Sequence, residues 1–211
     1  MFPPDAVLIL CESAGSPKPA DATETQGLIS AFVMEPADKV MIEASVLVPV
    51  YRGTDGELRL ILIRRSNGGA HGGHLAFPGG KHDPGDRSMQ DTALRETREE
   101  IGIPEDRIEI LAELPPTETR TTGFRVHPFL GRILQPVAWQ RNEHEVAQIM
   151  DLSLAELAAA EVLDEDAGLP ADASAPRRTP YYRVGDDQLW GLTFRILRAL
   201  IPRLLAGEWK I

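Results

Sequence analysis

Apolar residues recur with a period near two in some stretches of this chain and near four in others, and the switches between them mark out its elements. Ile42–Tyr51 (Ile-Glu-Ala-Ser-Val-Leu-Val-Pro-Val-Tyr) and Leu58–Arg64 have the β-branched composition of strands. Gly53-Thr54-Asp55-Gly56 lies between them as a turn, so together they predict a hairpin. Ser66–Gly73 is a glycine-rich loop with His71, and His74–Phe77 leads out of it. Ile108–Leu114 predicts another strand. So does Phe124–Leu134, where Phe124, Val126, Pro128 and Leu130 alternate with Arg125 and His127. Pro115–Gly123 between them is a polar loop carrying Glu118 and Arg120. Val146–Leu152 predicts a short strand, followed by Ser153-Leu154-Ala155-Glu156, a capping box that opens a helix ending near Glu161. Leu163–Thr179 is rich in Asp, Ala and Pro and reads as a surface loop, and Pro180–Val184 as a short strand. Trp190, Phe194, Leu197, Ile201 and Leu204 recur at helical spacing and predict the inner stripe of a C-terminal helix, which Pro202 should kink or end.

The best-bounded helix lies mid-chain. Residues 77–87 are dominated by Gly, Pro and Asp, the composition of a tight loop. Ser88 then serves as N-cap, with Asp91 as a weaker capping-box partner. Ala93, Leu94, Thr97 and Ile101 form an inner face, Gly102 ends the helix, and Pro104 follows. The elements run β-β-β-α-β-β-β-α-β-α, which predicts a mixed sheet with helices on its faces.

Chemistry enters through Glu96, Glu99 and Glu100. Spacings of three and four put the first carboxylate on the same helix face as the other two. Such carboxylates repel one another unless a cation sits between them. Hard oxygen donors suit Mg²⁺ or Mn²⁺. The plainer alternative is a solvated surface laced with ion pairs, such as Arg95 with Glu99. The glycine-rich loop directly upstream weighs against it.

At 211 residues, 43% hydrophobic and 26% charged, the chain fits one domain with an extension. Residues 1–27 are rich in Pro, Ala, Ser, Thr and Asp, and Leu28–Met34 is a short apolar stretch; residues 1–35 read as that extension, partly ordered, and residues 36–211 as the domain. The extension could cover a sheet edge or exchange with a second copy, which leaves a homodimer open. No apolar run reaches the roughly 18–20 residues needed to span a bilayer. Cys11 is the only cysteine, so no disulfide forms within the chain and a cytoplasmic location is expected. A net charge of −10 argues against nucleic acid or anionic membrane as partner, but not against a small polyanion held by local arginines and a cation.

Residues 80–103 resemble the Nudix hydrolase box, Gly-x5-Glu-x7-Arg-Glu-U-x-Glu-Glu-x-Gly-U with U aliphatic. Gly80 opens the match, and Arg95, Glu96, Glu99, Glu100, Gly102 and Ile103 close it. Asp86 stands where the first Glu is expected, Thr97 replaces an aliphatic residue, and the gap from Asp86 to Arg95 is eight residues rather than seven. The extra residue is assigned to Arg87, in the loop, which preserves the helical register of the carboxylates. The resemblance implies an α/β/α sandwich with a mixed β-sheet flanked by helices. It also implies metal-dependent hydrolysis of a nucleoside diphosphate linked to another group, so the expected partner is a small nucleotide. Mg²⁺ or Mn²⁺ would be held by Glu96, Glu99 and Glu100 with the main-chain carbonyl of Gly79, and Arg95 would steady the carboxylates. The general base stays open among Glu96, Glu143 and Glu145. Arg64, Arg65, His71, Lys81 and Arg120 are the candidate substrate-binding residues. Arg64 and Arg65 are strand neighbours, so at most one of them points into the site.

Two further segments narrow the branch. Leu62-Ile63-Arg64-Arg65-Ser66 with His71-x-Gly73 and Phe77-Pro78-Gly79-Gly80 is similar to a signature of coenzyme A pyrophosphatases. So is the tail Pro180-Tyr181-Tyr182-Arg183 with Trp190-Gly191-Leu192-Thr193. That branch implies cleavage of coenzyme A or acyl-coenzyme A to 3′,5′-ADP and (acyl-)4′-phosphopantetheine. The second arginine expected in the Ser66–Gly73 loop is missing, with Gly69 or Ala70 near its place, and His74 stands where a Gln is usual. The missing arginine favours ADP-ribose, NADH or a nucleotide sugar as substrate, and the tail favours coenzyme A. A noncatalytic nucleotide-sensing module is the remaining reading, disfavoured by the complete set of Glu96, Glu99 and Glu100.

Overall fold

The computed structural model describes residues 41–66, 72–119, 122–134, 138–166 and 178–211. The expected extension at 1–35, Cys11, His71 and Arg120 lie outside the described residues. The predicted hairpin forms from β1 (Ile42–Arg52) and β2 (Leu58–Arg65), with Val50 opposite Leu60. Two short strands follow, β3 (Leu75–Ala76) and β4 (Gly79–Lys81). Helix α1 (Met89–Ile101) comes next, then β5 (Ile108–Glu113), β6 (Thr117–Glu118), β7 (Phe124–Ile133) and β8 (Val146–Ser153). The chain closes with α2 (Leu154–Ala159), β9 (Val162–Asp166), β10 (Arg178–Val184), β11 (Asp187–Leu189) and α3 (Gly191–Leu205).

The main sheet has the order β3-β2-β1-β7-β5, with β4 added to β1, β6 to β7 and β8 to β2. Only the β1–β7 pairing is parallel within it; the others are antiparallel. Such a mixed sheet buries both faces. On one face Leu47, Ile61, Ile63 and Phe129 pack with Ala93, Leu94 and Ile101 of α1. On the other, Val48, Val50, Leu60, Leu62 and Leu130 pack with Leu154 and Leu157 of α2 and with Phe194, Leu197, Leu200 and Ile201 of α3. This is the helix–sheet–helix layering that the element order implies. It also explains why the alternation in β7 fades after Pro128: Phe129, Leu130 and Gly131 are all buried because helices cover both sides.

Four sequence expectations need correction. Gly79–Lys81 is a strand within the supposed loop, with Ser45 opposite Gly80 and Val46 opposite Gly79. Glycine permits this close approach, since a Cβ at Gly79 would lie 2.3 Å from the Ser45 carbonyl oxygen. The ends of the supposed loop 163–179 are also strands: β9 and β10 pair, Leu163 opposite Tyr181, and with β11 they make a separate three-stranded sheet. Of the two outcomes expected of Pro202, a kink or an end, the end is overturned, since α3 runs on to Leu205. Trp190 is not on the buried stripe; it is the N-cap of α3 and is 40% exposed. Among the described residues no helix is long and apolar enough to cross a membrane.

Candidate active site

Strand β1 is shared. Its first half pairs with β4, while Val50–Arg52 pair with β2. Helix α1 lies over the junction, and its two ends behave as the sequence predicts. The Ser88 hydroxyl accepts from the Asp91 N–H at 3.1 Å. Gly102 adopts φ 73° and donates its N–H to the Arg98 carbonyl at 3.0 Å. Asp91 does not complete the capping box; its carboxylate takes Arg87 instead, at 2.9 Å. Thr97, at the usually aliphatic position, is fully buried and satisfies its hydroxyl on the Ala93 carbonyl at 2.7 Å.

The three glutamates occupy different environments. The Glu100 side chain is 1% exposed. It accepts the Gly79 N–H at 2.9 Å and lies 3.5 Å from Arg65 Nη1. Burial pushes its carboxyl up to about 8, against the Gly79 and Arg65 contacts, with the Glu96 and Glu145 charges adding to the rise. Glu96 is 15% exposed and 2.9 Å from Arg95. Burial raises it too, opposed by Arg95 and aided by Glu99 and Glu145. Glu99 is 47% exposed and 3.0 Å from Arg95.

Arg95 is the hub. Its Nε and Nη2 grip Asp86 at 2.8 and 3.0 Å, and its Nη1 donates to both Glu96 and Glu99. Its Nη2 also reaches the Lys81 carbonyl at 3.3 Å. Asp86 takes both of those Arg95 donors, Nε and Nη2, while accepting from the Thr92 hydroxyl at 2.8 Å and the Asp83 N–H at 3.1 Å. The Arg95 guanidinium holds the Asp86 carboxyl well below the usual carboxylate range. Arg87, the extra residue, is 86% exposed, so the added length turns outward into solvent.

Other candidates divide sharply. Arg65 reaches Glu100, whereas Arg64 pairs with Asp187 of β11, as strand alternation requires. Glu143 is 79% exposed and bound to Arg141 at 3.0 Å. Glu145 is tied in by its carbonyl, which accepts the Ser66 N–H at 2.8 Å, and its charge acts on both Glu96 and Glu100. The Asn142 N–H donates to the Glu100 carbonyl at 3.0 Å, fastening the same loop to α1. The Lys81 ammonium rests 5.7 Å from the Phe124 ring centroid. Sequence reasoning passed over Gly80 as more than a motif letter. A Cβ there would lie 2.4 Å from Glu96 Oε1, so the carboxylate rests directly on bare backbone.

This donor set fits a hard divalent cation. Buried Glu100 and partly buried Glu96 resist ionisation beside further carboxylates, and a cation between them would relieve that repulsion. Among the described residues, no three His, Cys, Asp or Glu side chains converge as a metal cluster. Glu96 and Glu99 turn to Arg95, the pairing the sequence expected of Glu99, and Glu100 turns to Gly79 and Arg65, so arginines and a backbone amide offset part of the charge.

A family model described as the NUDIX domain matches residues 41–172. The chain is 36% identical over 163 residues to an uncharacterized Nudix hydrolase, NudL, of Yersinia enterocolitica, across 76% of this chain and 80% of that protein. Its likeness to the NudL of Pectobacterium atrosepticum is 37% over 160 residues, across 75% and 80%. Among solved structures, the Nudix hydrolase RenU of M. smegmatis matches with a TM-score of 0.54 at 14% identity, across 81% of this chain and 88% of that one. That last likeness concerns the fold alone.

Proposed function

The chain belongs to the Nudix hydrolase family, and from that premise we propose that it cleaves the pyrophosphate bond of coenzyme A or an acyl-coenzyme A. As a Nudix hydrolase it acts on nucleoside diphosphate derivatives. The products of the proposed reaction are 3′,5′-ADP and (acyl-)4′-phosphopantetheine. The observation that supports this branch is that the tail signature packs on His74 and Leu75, which lie between the two later parts of the upstream signature. The Thr193 hydroxyl donates to the Leu75 carbonyl at 3.5 Å, and the Trp190 and His74 rings touch. The second reading, a pyrophosphatase for ADP-ribose, NADH or a nucleotide sugar, draws on the missing arginine of the Ser66–Gly73 loop.

Nudix hydrolases generally use divalent metal ions, and Mg²⁺ or Mn²⁺ is the proposed ion here. When bound, it supplies neutralisation of the negative charge gathering on the phosphate oxygens. Glu96, Glu100 and Glu99 would hold it, with the Gly79 carbonyl. Arg95 acts on the carboxylates and not on substrate, because its donors are occupied by Asp86, Glu96, Glu99 and Lys81. Water attacks one phosphorus, and the bond from that phosphorus to the bridging oxygen breaks. Of the candidate bases, Glu145 is preferred over Glu143, which Arg141 draws outward, and over Glu96, whose carboxylate is bound by Arg95. Arg65 and Lys81 are the proposed phosphate-side cations, while Arg64 serves the junction with β11.

Gly80→Ala is expected to push the Glu96 carboxylate aside, because the obstructing atoms are the end of a side chain and not backbone. Mn²⁺ affinity, read by titration calorimetry, should fall about tenfold or more, with little change in melting temperature. Unchanged affinity would remove Glu96 from the ligand set. The function itself is tested by a panel with Mg²⁺ and Mn²⁺: coenzyme A, acetyl-coenzyme A, ADP-ribose, NADH, a nucleotide sugar and a nucleoside triphosphate, with products identified by mass. Release of 3′,5′-ADP from coenzyme A is the expected result. Cleavage of ADP-ribose or NADH alone would replace it with the second reading, and binding without turnover would favour a sensor.

A further inference from the structure

A large apolar side chain is open to solvent at each end of the C-terminal helix: Leu205 in the last turn, 50% exposed, and the indole of Trp190 at the cap. Phe194, Leu197, Ile201 and Leu204 of α3 are each no more than 4% exposed, whereas Trp190 is 40% exposed. Of the three tryptophans in the chain, Trp139 and Trp209 are half-buried, and each rests on a neighbour, Tyr51 and Arg203 respectively. Leaving an indole exposed forgoes burial of one of the largest apolar surfaces a side chain offers.

The ring is nonetheless held in place. The His74 imidazole meets it nearly edge to face, with centroids 5.1 Å apart and planes at 72°. His74 is one step from the site: its carbonyl accepts the Arg65 N–H at 3.1 Å, and the Arg65 guanidinium lies 3.5 Å from Glu100. At the next residue, a Cβ on Gly191 would meet nothing within 4 Å apart from its own chain neighbours. A partly exposed aromatic ring, held by His74, therefore stands two residue contacts from Arg65 and three from Glu100, the most buried carboxylate of the site.

We propose that Trp190 is a stacking platform for the nucleobase of the substrate, with His74 fixing the indole. The inference rests on the reading that this site cleaves a nucleoside diphosphate derivative. Such a substrate divides into a polyanionic part, which suits the carboxylate and arginine cluster, and a flat, uncharged base. Stacking on an aromatic face takes the base without asking for particular hydrogen-bond partners. Trp190 is thus a specificity residue and takes no part in the chemistry at phosphorus.

The test compares Trp190→Ala and Trp190→Phe with the wild-type protein, using ADP and inorganic pyrophosphate as calorimetric probes in the presence of Mg²⁺. The Ala variant is expected to bind ADP about tenfold more weakly and pyrophosphate as before, and the Phe variant to recover most of the loss. In turnover assays the Ala variant should show a raised KM with kcat little changed. Equal ADP affinity in the Ala variant would overturn the proposal. So would an equal loss for pyrophosphate, which would mean that Trp190 acts through His74 and Arg65 on the phosphate site. If the wild-type protein turns over no member of the substrate panel, the functional reading fails by itself, while the ADP comparison still decides the role of Trp190.

Discussion

Glu100→Gln is expected to abolish most turnover while leaving the fold intact. The side chain is enclosed, and Gln has nearly the same shape, so it can still accept the Gly79 N–H. What it cannot do is carry charge. Replacing a group that merely orients a metal ligand costs about 10- to 100-fold, so loss of a ligand should lower kcat/KM by at least about a hundredfold. The same variant has a second signature that needs no substrate. The Glu100 carboxyl is pushed up to about 8 in the folded protein, against an ordinary value of about 4.3 for Glu in an unfolded chain. Between those values the unfolded chain has released the proton and the folded one keeps it. The folded state thus binds more protons there, and stability falls as pH rises through the window. Metal-free wild-type protein should lose stability from about pH 5 to pH 8 relative to Glu100→Gln, measured by urea unfolding at several pH values. Added Mg²⁺ should restore the wild type at the alkaline end and do little for the variant. Parallel pH profiles, or undiminished turnover in the folded variant, would sink the metal assignment.

Arg95→Ala is expected to be the most destabilising single change in the site. Arg95 satisfies Asp86 through two bonds and Glu96 and Glu99 through one each. Asp86 is 6% exposed. Without its partner it would keep only the Thr92 hydroxyl and the Asp83 N–H. Removing one member of a buried pair costs about 3–5 kcal/mol, because the other charge is left behind. With Arg95 23% exposed, the lower end, about 3 kcal/mol, is expected for urea unfolding at neutral pH. Asp86→Ala in the same background should cost little more, so the double variant would be far from the sum of the singles. The pH sign is opposite to that of Glu100. Asp86 is depressed in the folded state, so its contribution is complete above the ordinary carboxylate range and is lost as pH falls through its folded value. Wild-type stability for Arg95→Ala at neutral pH would refute the hub.

Helix α1 was legible because its information is local. Ser88, Gly102 and the apolar face at Ala93, Leu94, Thr97 and Ile101 all act within one helix, and all appear as read. Strand β4 was not, since Gly-Gly-Lys has no strand character of its own and pairs only because β1 lies alongside. Strand β9 hides for the same reason in an acidic stretch whose partner is β10. Spacing placed Trp190 on the stripe, but periodicity does not distinguish the first buried turn of a helix from the residue that caps it. The site shows the same boundary. Alternation required Arg64 and Arg65 to diverge, yet only Asp187, more than a hundred residues on, decides which turns away. Glu143 and Glu145 are indistinguishable as loop carboxylates until Arg141 draws off the first, while the charge of the second acts on Glu96 and Glu100.

The outward-facing Arg87 bears on how this motif can vary in length. From Arg95 to Gly102 each position is fixed by the rotation of the helix, and one added residue would turn every later carboxylate by about 100°. Before Ser88 no such gearing exists. A residue added there protrudes into water and settles on Asp91, while Asp86 still reaches Arg95. Spacing between Asp86 and the helix cap Ser88 is therefore elastic, and spacing among the helix acids is not. Natural or engineered insertions should survive beside Arg87, between Asp86 and Ser88, and nowhere between 95 and 102.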